Sequence, residues 1–284
     1  MVKNDIPLSV RGLCKRYPSF ELRDVSFDLA PGKITGFIGR NGAGKTTTLH
    51  SILCFVKPDE GEVAFGGLTM ADSAAQIKQH IGFVSAGMSY YTAKRLRTIT
   101  AVTRSFYPAW SDEAYRRYMG LFGLEEEKTP AQLSNGMKIK YALALALSHG
   151  AELLLLDEPT SGLDPISREE LIEIFLALRE EGKTILFSTH ITSDLEKCAD
   201  RILFLQKGRL TADRELNDFA ASYSLLSCQG DVPGEIKPFS LGQRRTKDGC
   251  TVLVEKKAAD AFSLPFRQPT LDEIMVHLEK EDRP

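Results

Sequence analysis

Apolar and polar positions change rhythm three times along the chain. From Leu8 to Asp28 short apolar and polar runs alternate, broken by Pro18 and Arg23-Asp24, which predicts two antiparallel strands about a turn. Pro31-Gly32 marks the next turn, and the apolar run Ile34-Thr35-Gly36-Phe37-Ile38 predicts a buried strand with a helix opening at Lys45 soon after it. Pro58-Asp59-Glu60-Gly61 is a strong turn signal, followed by a short strand at Glu62 to Phe65, a turn at Gly66-Gly67, a helix over Ala74 to His80 and a buried strand at Ile81 to Val84. From Thr92 to Ser148 the periods are helical, with breaks at Pro108 and Thr129-Pro130 and no convincing strand. Trp110, at the first break, reads as a packing anchor.

The third rhythm is a strict strand–helix alternation. Leu153-Leu154-Leu155-Leu156 is a continuous apolar run of the kind buried on both faces of a parallel sheet. Ser167-Arg168-Glu169-Glu170 reads as a capping box, with Leu171, Ile172, Phe175, Leu176 and Leu178 as the apolar stripe behind it and Gly182 as the stop. A strand at Thr184 to Ser188, a helix from Thr192 to Ala199 and a strand at Arg201 to Gln206 follow, so the class is α/β with a mostly parallel sheet. Beyond Gly208 the character shifts to a helix within Asp213 to Ser222, short β-like runs from Leu225 to Val254 and an amphipathic helix from Leu271 to Leu278. The expected division is a principal domain over 1–212, with a helical insertion at about 92–148, and a small α+β extension over 213–284.

Composition narrows the class without naming a function. At 284 residues the chain has room for one large domain or two modest ones, since domains run about 100–200 residues. A hydrophobic fraction of 43% and a charged fraction of 26% are ordinary for a globular protein, which argues against disorder. Net charge is −2 with no block of Lys and Arg, so nucleic acid is not expected as a partner. The five cysteines lack C-x-x-C spacing, which points away from a metal site or disulfide framework and toward a reducing compartment. The first residues have no signal-peptide pattern, and no run approaches the roughly 18–20 apolar residues of a membrane span. Work at a membrane would need another chain.

The chemistry begins directly after the Ile34–Ile38 run. Gly39-Arg40-Asn41-Gly42-Ala43-Gly44-Lys45-Thr46-Thr47 fits G-x-x-x-x-G-K-[ST] at every fixed position, between an apparent strand and a helix, which is the context the motif requires. Glycines let backbone N–H groups curl around a phosphate, Lys45 reaches the terminal phosphates, and the Thr46 hydroxyl suits Mg²⁺. The candidate nucleotide-binding residues here are Asn41, Gly42, Ala43, Gly44, Lys45, Thr46 and Thr47. The positive end of the following helix adds to the same attraction.

Four further stretches fall in a telling order. The apolar strand ending in Asp157-Glu158 looks like a Walker B element, Asp157 serving Mg²⁺ and Glu158 polarising the attacking water. Leu133-Ser134-Asn135-Gly136-Met137 resembles the LSGGQ signature of ABC-family ATPases, Ser161-Gly162-Leu163-Asp164 matches that family's D-loop, and His190 matches its H-loop. The resemblance covers about Leu8 to Leu210. It implies a P-loop NTPase with a RecA-like core, an antiparallel β subdomain and a helical signature subdomain. It further implies two ATP molecules held between head-to-tail cassettes, so that Ser134 and Gly136 meet the γ-phosphate of the opposite site and Asp164 bridges to the second ATPase subunit. Tyr17, on its own an aromatic more often found in a core, becomes by resemblance the adenine-stacking ring, and His190 the γ-phosphate sensor.

Two positions depart from the family pattern. Ala86 stands where a Gln usually contacts Mg²⁺, and Met137 replaces the terminal Gln of the signature. With Glu158 and His190 retained, the expectation is a hydrolytically competent ATPase. A single cassette implies the ATP-binding subunit of a transporter, at the cytoplasmic face of the membrane, whose transmembrane permease is a separate chain and docks on the helical insertion. The stretches LSNGMKIKYALALALSHGAELLLLDEPTSGLDPISREEL and FSTHITSDLEKCADRI look like bacterial ABC-2-type exporters, including those that move amphipathic or antimicrobial peptides. The competing reading is a soluble ABC ATPase of translation or DNA repair, but tandem cassettes or a coiled-coil insertion are absent. A metabolic kinase or GTPase leaves the signature and D-loop unexplained.

Overall fold

The computed structural model describes residues 8–85 and 91–279. Its chain divides into two compact units, one of residues up to His190 together with Leu203–Asp213, the other of Ile191–Ile202 together with the chain from Arg214 onward.

In the first unit, β1 (Leu8–Tyr17) and β2 (Phe20–Leu29) form the expected antiparallel pair, and β3 (Ile34–Ile38) is buried at every residue. α1 (Lys45–Ile52) follows, then β4 (Glu60–Phe65), β5 (Leu68–Thr69), α2 (Met70–Lys78) and β6 (Ile81–Ser85). α2 starts four residues before the expected Ala74 because Thr69 caps it, accepting from Asp72 N–H. The described part of the insertion holds only helical elements: α3 (Leu96–Arg104), α4 (Asp112–Leu121), a 3-10 turn at Pro130–Gln132 and α5 (Asn135–Ser148). Trp110 donates from Nε1 to Asp112 Oδ1 at 2.9 Å and tilts against Tyr115, as a packing anchor does.

β7 (Leu153–Asp157), α6 (Pro165–Glu180) and β8 (Thr184–Thr189) complete the alternation, and α7 (Thr192–Cys198) and β9 (Arg201–Gln206) come where expected. The start of α6 corrects the sequence reading. Ser167 is not the cap: Asp164 is, taking the N–H groups of Ile166 and Ser167 at 3.0 Å, and Ser167 donates its hydroxyl back to Asp164 Oδ2 at 2.6 Å. Pro165 at the first helical position, whose missing N–H costs nothing there, explains why the helix begins three residues early.

Six strands lie in the order β10-β9-β3-β8-β7-β6, where β10 (Arg209–Glu215) is a strand that the sequence pattern does not predict. The β6–β7, β7–β8 and β8–β3 pairings are parallel. The second sheet, β2-β1-β4-β5, is antiparallel where β1 pairs β2 and β4. α5 approaches β6 at Gly82, where a Cβ would come within 2.6 Å of Ala146 Cβ, so only glycine admits this packing. The result is the P-loop α/β architecture expected: a buried parallel sheet, an antiparallel β layer and a helical arm.

The second unit carries α7, α8 (Leu216–Ala221), and an antiparallel sheet of β11 (Tyr223–Cys228), β12 (Gly242–Thr246) and β13 (Gly249–Glu255) in the order β11-β13-β12. A short α9 (Lys256–Ala259) and α10 (Leu271–Leu278) follow. α10 opens on a capping box between Thr270 and Glu273, and its first N–H, at Leu271, donates to Glu196 of α7 at 2.7 Å. The helix expected from Asp213 begins only at Leu216, because the preceding residues extend β10.

Candidate active site

The phosphate loop is set by its supports. β3 is wholly buried and delivers the chain to Gly39, and α1 begins at Lys45 with Gly44 as its N-cap at φ 111°. That conformation favours glycine, and a Cβ on Gly44 would sit 2.6 Å from Phe20 Cζ, so the position is closed to larger residues twice over. Ala43 donates to Arg40 O at 3.0 Å and accepts from Gly208 N–H at 3.0 Å, which pins the loop from both sides. The first turn of α1 contains no acidic residue to compensate its positive end.

Two chains of contacts then tie this loop to the ends of β7 and β8. In the first, Lys45 is only 5% exposed, and its ammonium donates to Gly39 O at 2.7 Å and lies 3.2 Å from Glu158 Oε1. Glu158 reaches on to His190, whose Nδ1 is 2.8 Å from Oε2, so a proton on that nitrogen donates to the carboxylate. Glu158 holds a left-handed backbone, φ 51°, and its N–H donates to Ser188 O at 3.0 Å. Strain of this kind persists only where the surroundings impose it and is concentrated at working sites. In the second chain, the Thr46 hydroxyl lies 3.0 and 3.1 Å from the two oxygens of Asp157, and Ser188 Oγ donates to Asp157 Oδ1 at 2.7 Å.

Ser188 went unnoticed in the sequence. It faces Asp157 across the parallel β7–β8 register, a pairing that the order of residues along the chain does not reveal. Its hydroxyl fixes the carboxylate, and its backbone fixes Glu158.

Tyr17 ends β1 and pairs with Phe20 across the turn, ring centroids 6.5 Å apart; it is 42% exposed. Because Phe20 also packs against Gly44, the Tyr17 ring stands on the flank of the phosphate loop. Asn41 and Gly42 are exposed on the loop, and Thr47 is half-buried.

Ser134, Gly136 and Asp164 gather elsewhere. Ser134 is the N-cap of α5, accepting from Met137 N–H at 3.2 Å, and a Cβ on the buried Gly136 would lie 3.6 Å from Ser167 Cβ. Ser167 in turn bonds Asp164, whose carboxyl these hydrogen bonds hold below its usual range. Among the described residues, no hydrogen bond joins this group to Lys45, Thr46, Asp157, Glu158 or His190. Ala86 lies outside the described residues.

The donor set suits a hard cation in part. Thr46 and Asp157 offer a hydroxyl and a carboxylate, oxygen donors of the type Mg²⁺ takes, and no cluster of three or more His, Cys, Asp or Glu ligands occurs among the described residues. Mg²⁺, which keeps several waters and uses substrate phosphates, fits such a sparse pair.

Comparison with known proteins agrees with this geometry. The family described as ABC transporter matches residues 22–161. The bacitracin transport ATP-binding protein BcrA of Bacillus licheniformis is 34% identical over 202 residues, which is 70% of this chain and 66% of that one. The energy-coupling factor transporter ATP-binding protein EcfA2 of Ligilactobacillus salivarius is 30% identical over 269 residues, 89% of each chain. A solved structure described as an ATP binding subunit of an ABC transporter superposes with a TM-score of 0.67 at 29% identity, covering 74% of this chain and 90% of that one. This chain spans 63 to 69% of the length of several other curated relatives, and thus less than two thirds of some. The phosphate loop, the strand-end carboxylates and these similarities together show that the chain belongs to the family of ABC transporter ATP-binding proteins.

Proposed function

We propose that the chain binds and hydrolyses ATP as the engine subunit of an ABC transporter, two cassettes closing head-to-tail around two ATP to drive a separately encoded transmembrane permease. The observation that carries this reading is the convergence of Lys45, Thr46, Asp157, Glu158 and His190 at the ends of β3, β7 and β8. Backbone N–H groups of the phosphate loop and Lys45 take the phosphates. Tyr17 stacks on the base. Thr46 and Asp157 hold Mg²⁺, which when bound neutralises phosphate charge. Glu158 orients a water and accepts its proton, and His190 fixes the carboxylate in place.

Ser134, Gly136 and Asp164 complete the site of the second copy rather than their own. No acidic residue lies in the first turn of α5, so its positive end stays available to an anion. The helical arm receives the permease. Phe106 within the arm and Phe55 are 68% and 58% exposed, and the end of α2 links them: Lys78 lies over the Phe55 ring, and Gln79, just past the helix, donates to Phe106 O. Among the described residues no helix is long and apolar enough to cross a membrane, so attachment to the cytoplasmic face rests on that partner. Relatives named for bacitracin transport and linearmycin resistance support an exporter, and the cargo class proposed from the sequence resemblance is amphipathic peptides. The ATPase portion is taken as 1–212, with 213–284 supporting dimerisation or regulation.

Two experiments test this. Lys45→Ala should abolish ATP binding in a nucleotide titration, and unchanged affinity refutes the phosphate-loop assignment. Affinity purification from detergent-solubilised membranes should recover a multi-span protein in near-equal amount. Recovery of ribosomes or nucleic acid instead assigns the ATPase to translation or DNA repair.

A further inference from the structure

In the three-stranded sheet, β11 ends on Cys228 and β13 opens with Gly249-Cys250, and the antiparallel register sets Cys228 directly opposite Cys250. Both are free thiols. Direct antiparallel neighbours have Cα atoms about 4.5–5.5 Å apart, inside the about 4.4–6.8 Å that a disulfide spans. The two side chains share one small apolar cluster with Leu226, Val252 and Val254, flanked by Phe262 and Phe266. Burial, and then the neighbouring Cys250, push the Cys228 thiol up. Of the other three cysteines, Cys14 stands opposite Glu60, Cys54 lies in a turn and Cys198 ends α7.

We propose that Cys228 and Cys250 form a reversible redox-modification site, closing to a cross-strand disulfide in response to peroxide. The reaction balances. One thiolate attacks a peroxide oxygen, giving a sulfenic acid and hydroxide. The second thiol then displaces the sulfenic oxygen as water, so two thiols and one hydrogen peroxide give one disulfide and two waters.

The register makes this bond a reversible one. Leu225 exchanges both of its backbone hydrogen bonds with Arg267, away from β13. Antiparallel pairs alternate between bonded and non-bonded types, so Leu225–Leu253 is non-bonded, and Cys228–Cys250, three positions on, is a bonded pair. Bonded pairs hold their Cβ atoms at the wide end of about 4.5–5.5 Å, whereas a relaxed disulfide sets them near about 3.8 Å. A disulfide here must draw the strands together, and the resulting strain favours its reduction. This site therefore opens and closes with the thiol poise of the cell instead of stapling the sheet permanently.

The test uses the full-length protein. Treatment with hydrogen peroxide, blocking with iodoacetamide and peptide mapping without reduction should give one peptide pair joining Cys228 to Cys250. The intact mass should fall by two hydrogens and return on adding glutathione. A Cys54→Ser background removes intermolecular linkage through the exposed Cys54. The closure rate should climb with pH, because the thiolate is the nucleophile and its pKa is raised. Cys228→Ser and Cys250→Ala should each abolish the mass loss. The proposal is overturned if wild-type protein returns both peptides fully alkylated after Cys54 has reacted, or if either variant still loses two hydrogens. Wild-type mapping decides the matter even where a variant fails to fold.

Discussion

The two halves of the proposed ATP site are built on opposite plans. At the phosphate loop, five functional side chains meet: Lys45 contacts Glu158, Glu158 contacts His190, and Thr46 contacts Asp157. At the signature, the polar side chains serve their own helices, Ser134 capping α5 and Asp164 capping α6. The first region is a set of reacting groups already in mutual register. The second is a pair of helix ends whose side chains cap their own first turns. In the proposed function the first carries the chemistry and the second completes it for another copy.

Substitutions sharpen this contrast, and the largest effect is expected at Glu158. Glu158→Gln should lower kcat by roughly 100- to 10,000-fold with nucleotide affinity nearly unchanged, as read by steady-state phosphate release and a binding titration. His190→Ala removes the group that orients Glu158, and a misplaced base costs up to about 100-fold; if the loss instead appears in KM alone, His190 acts on binding. Tyr17→Ala should weaken ATP binding by about tenfold, the value of one lost base stack, measured by calorimetry, while Tyr17→Phe keeps it. Ser134→Ala removes the cap of α5 at a cost of about 1 kcal/mol, seen as a lower Tm, without loss of nucleotide binding to the isolated chain. A fall in monomer ATP affinity would place Ser134 in the chain's own site and collapse the distinction.

The smallest effect lies outside both regions and depends on pH. Hydrogen bonding to Arg267 brings the Glu273 carboxyl down to about 2 from an ordinary 4.5. A depressed carboxylate stabilises the fold above its unfolded pKa, and that contribution drains as pH falls from about 4.5 toward about 2. Arg267→Gln should raise the Glu273 pKa, followed by NMR, and flatten the acid limb of the stability curve.

What the sequence revealed and what it hid follow one physical division. The phosphate loop, the Asp157-Glu158 strand end and the continuous apolar strands are local patterns, dictated by residues adjacent in the chain. Ser188 depends on which strands lie side by side, because it meets Asp157 only through parallel pairing of β7 with β8. The start of α6 is hidden because Ser167 and Glu170 have capping-box spacing, while Asp164-Pro165 just before them makes an earlier cap with a ready-made first turn. β10 escaped because its exposed and half-buried positions give neither strict alternation nor an apolar run. The grouping of Ser134, Gly136 and Asp164 around Ser167 came from distant segments and had no sequence signal of its own.

The most direct test of the central claim, that one chain's loop is completed by another's signature, is static light scattering of Glu158→Gln with and without ATP and Mg²⁺. The account predicts a monomer without nucleotide and a stable particle of twice the mass with it, because binding and closure survive while hydrolysis does not. A variant that binds ATP fully and keeps the mass of a monomer contradicts it.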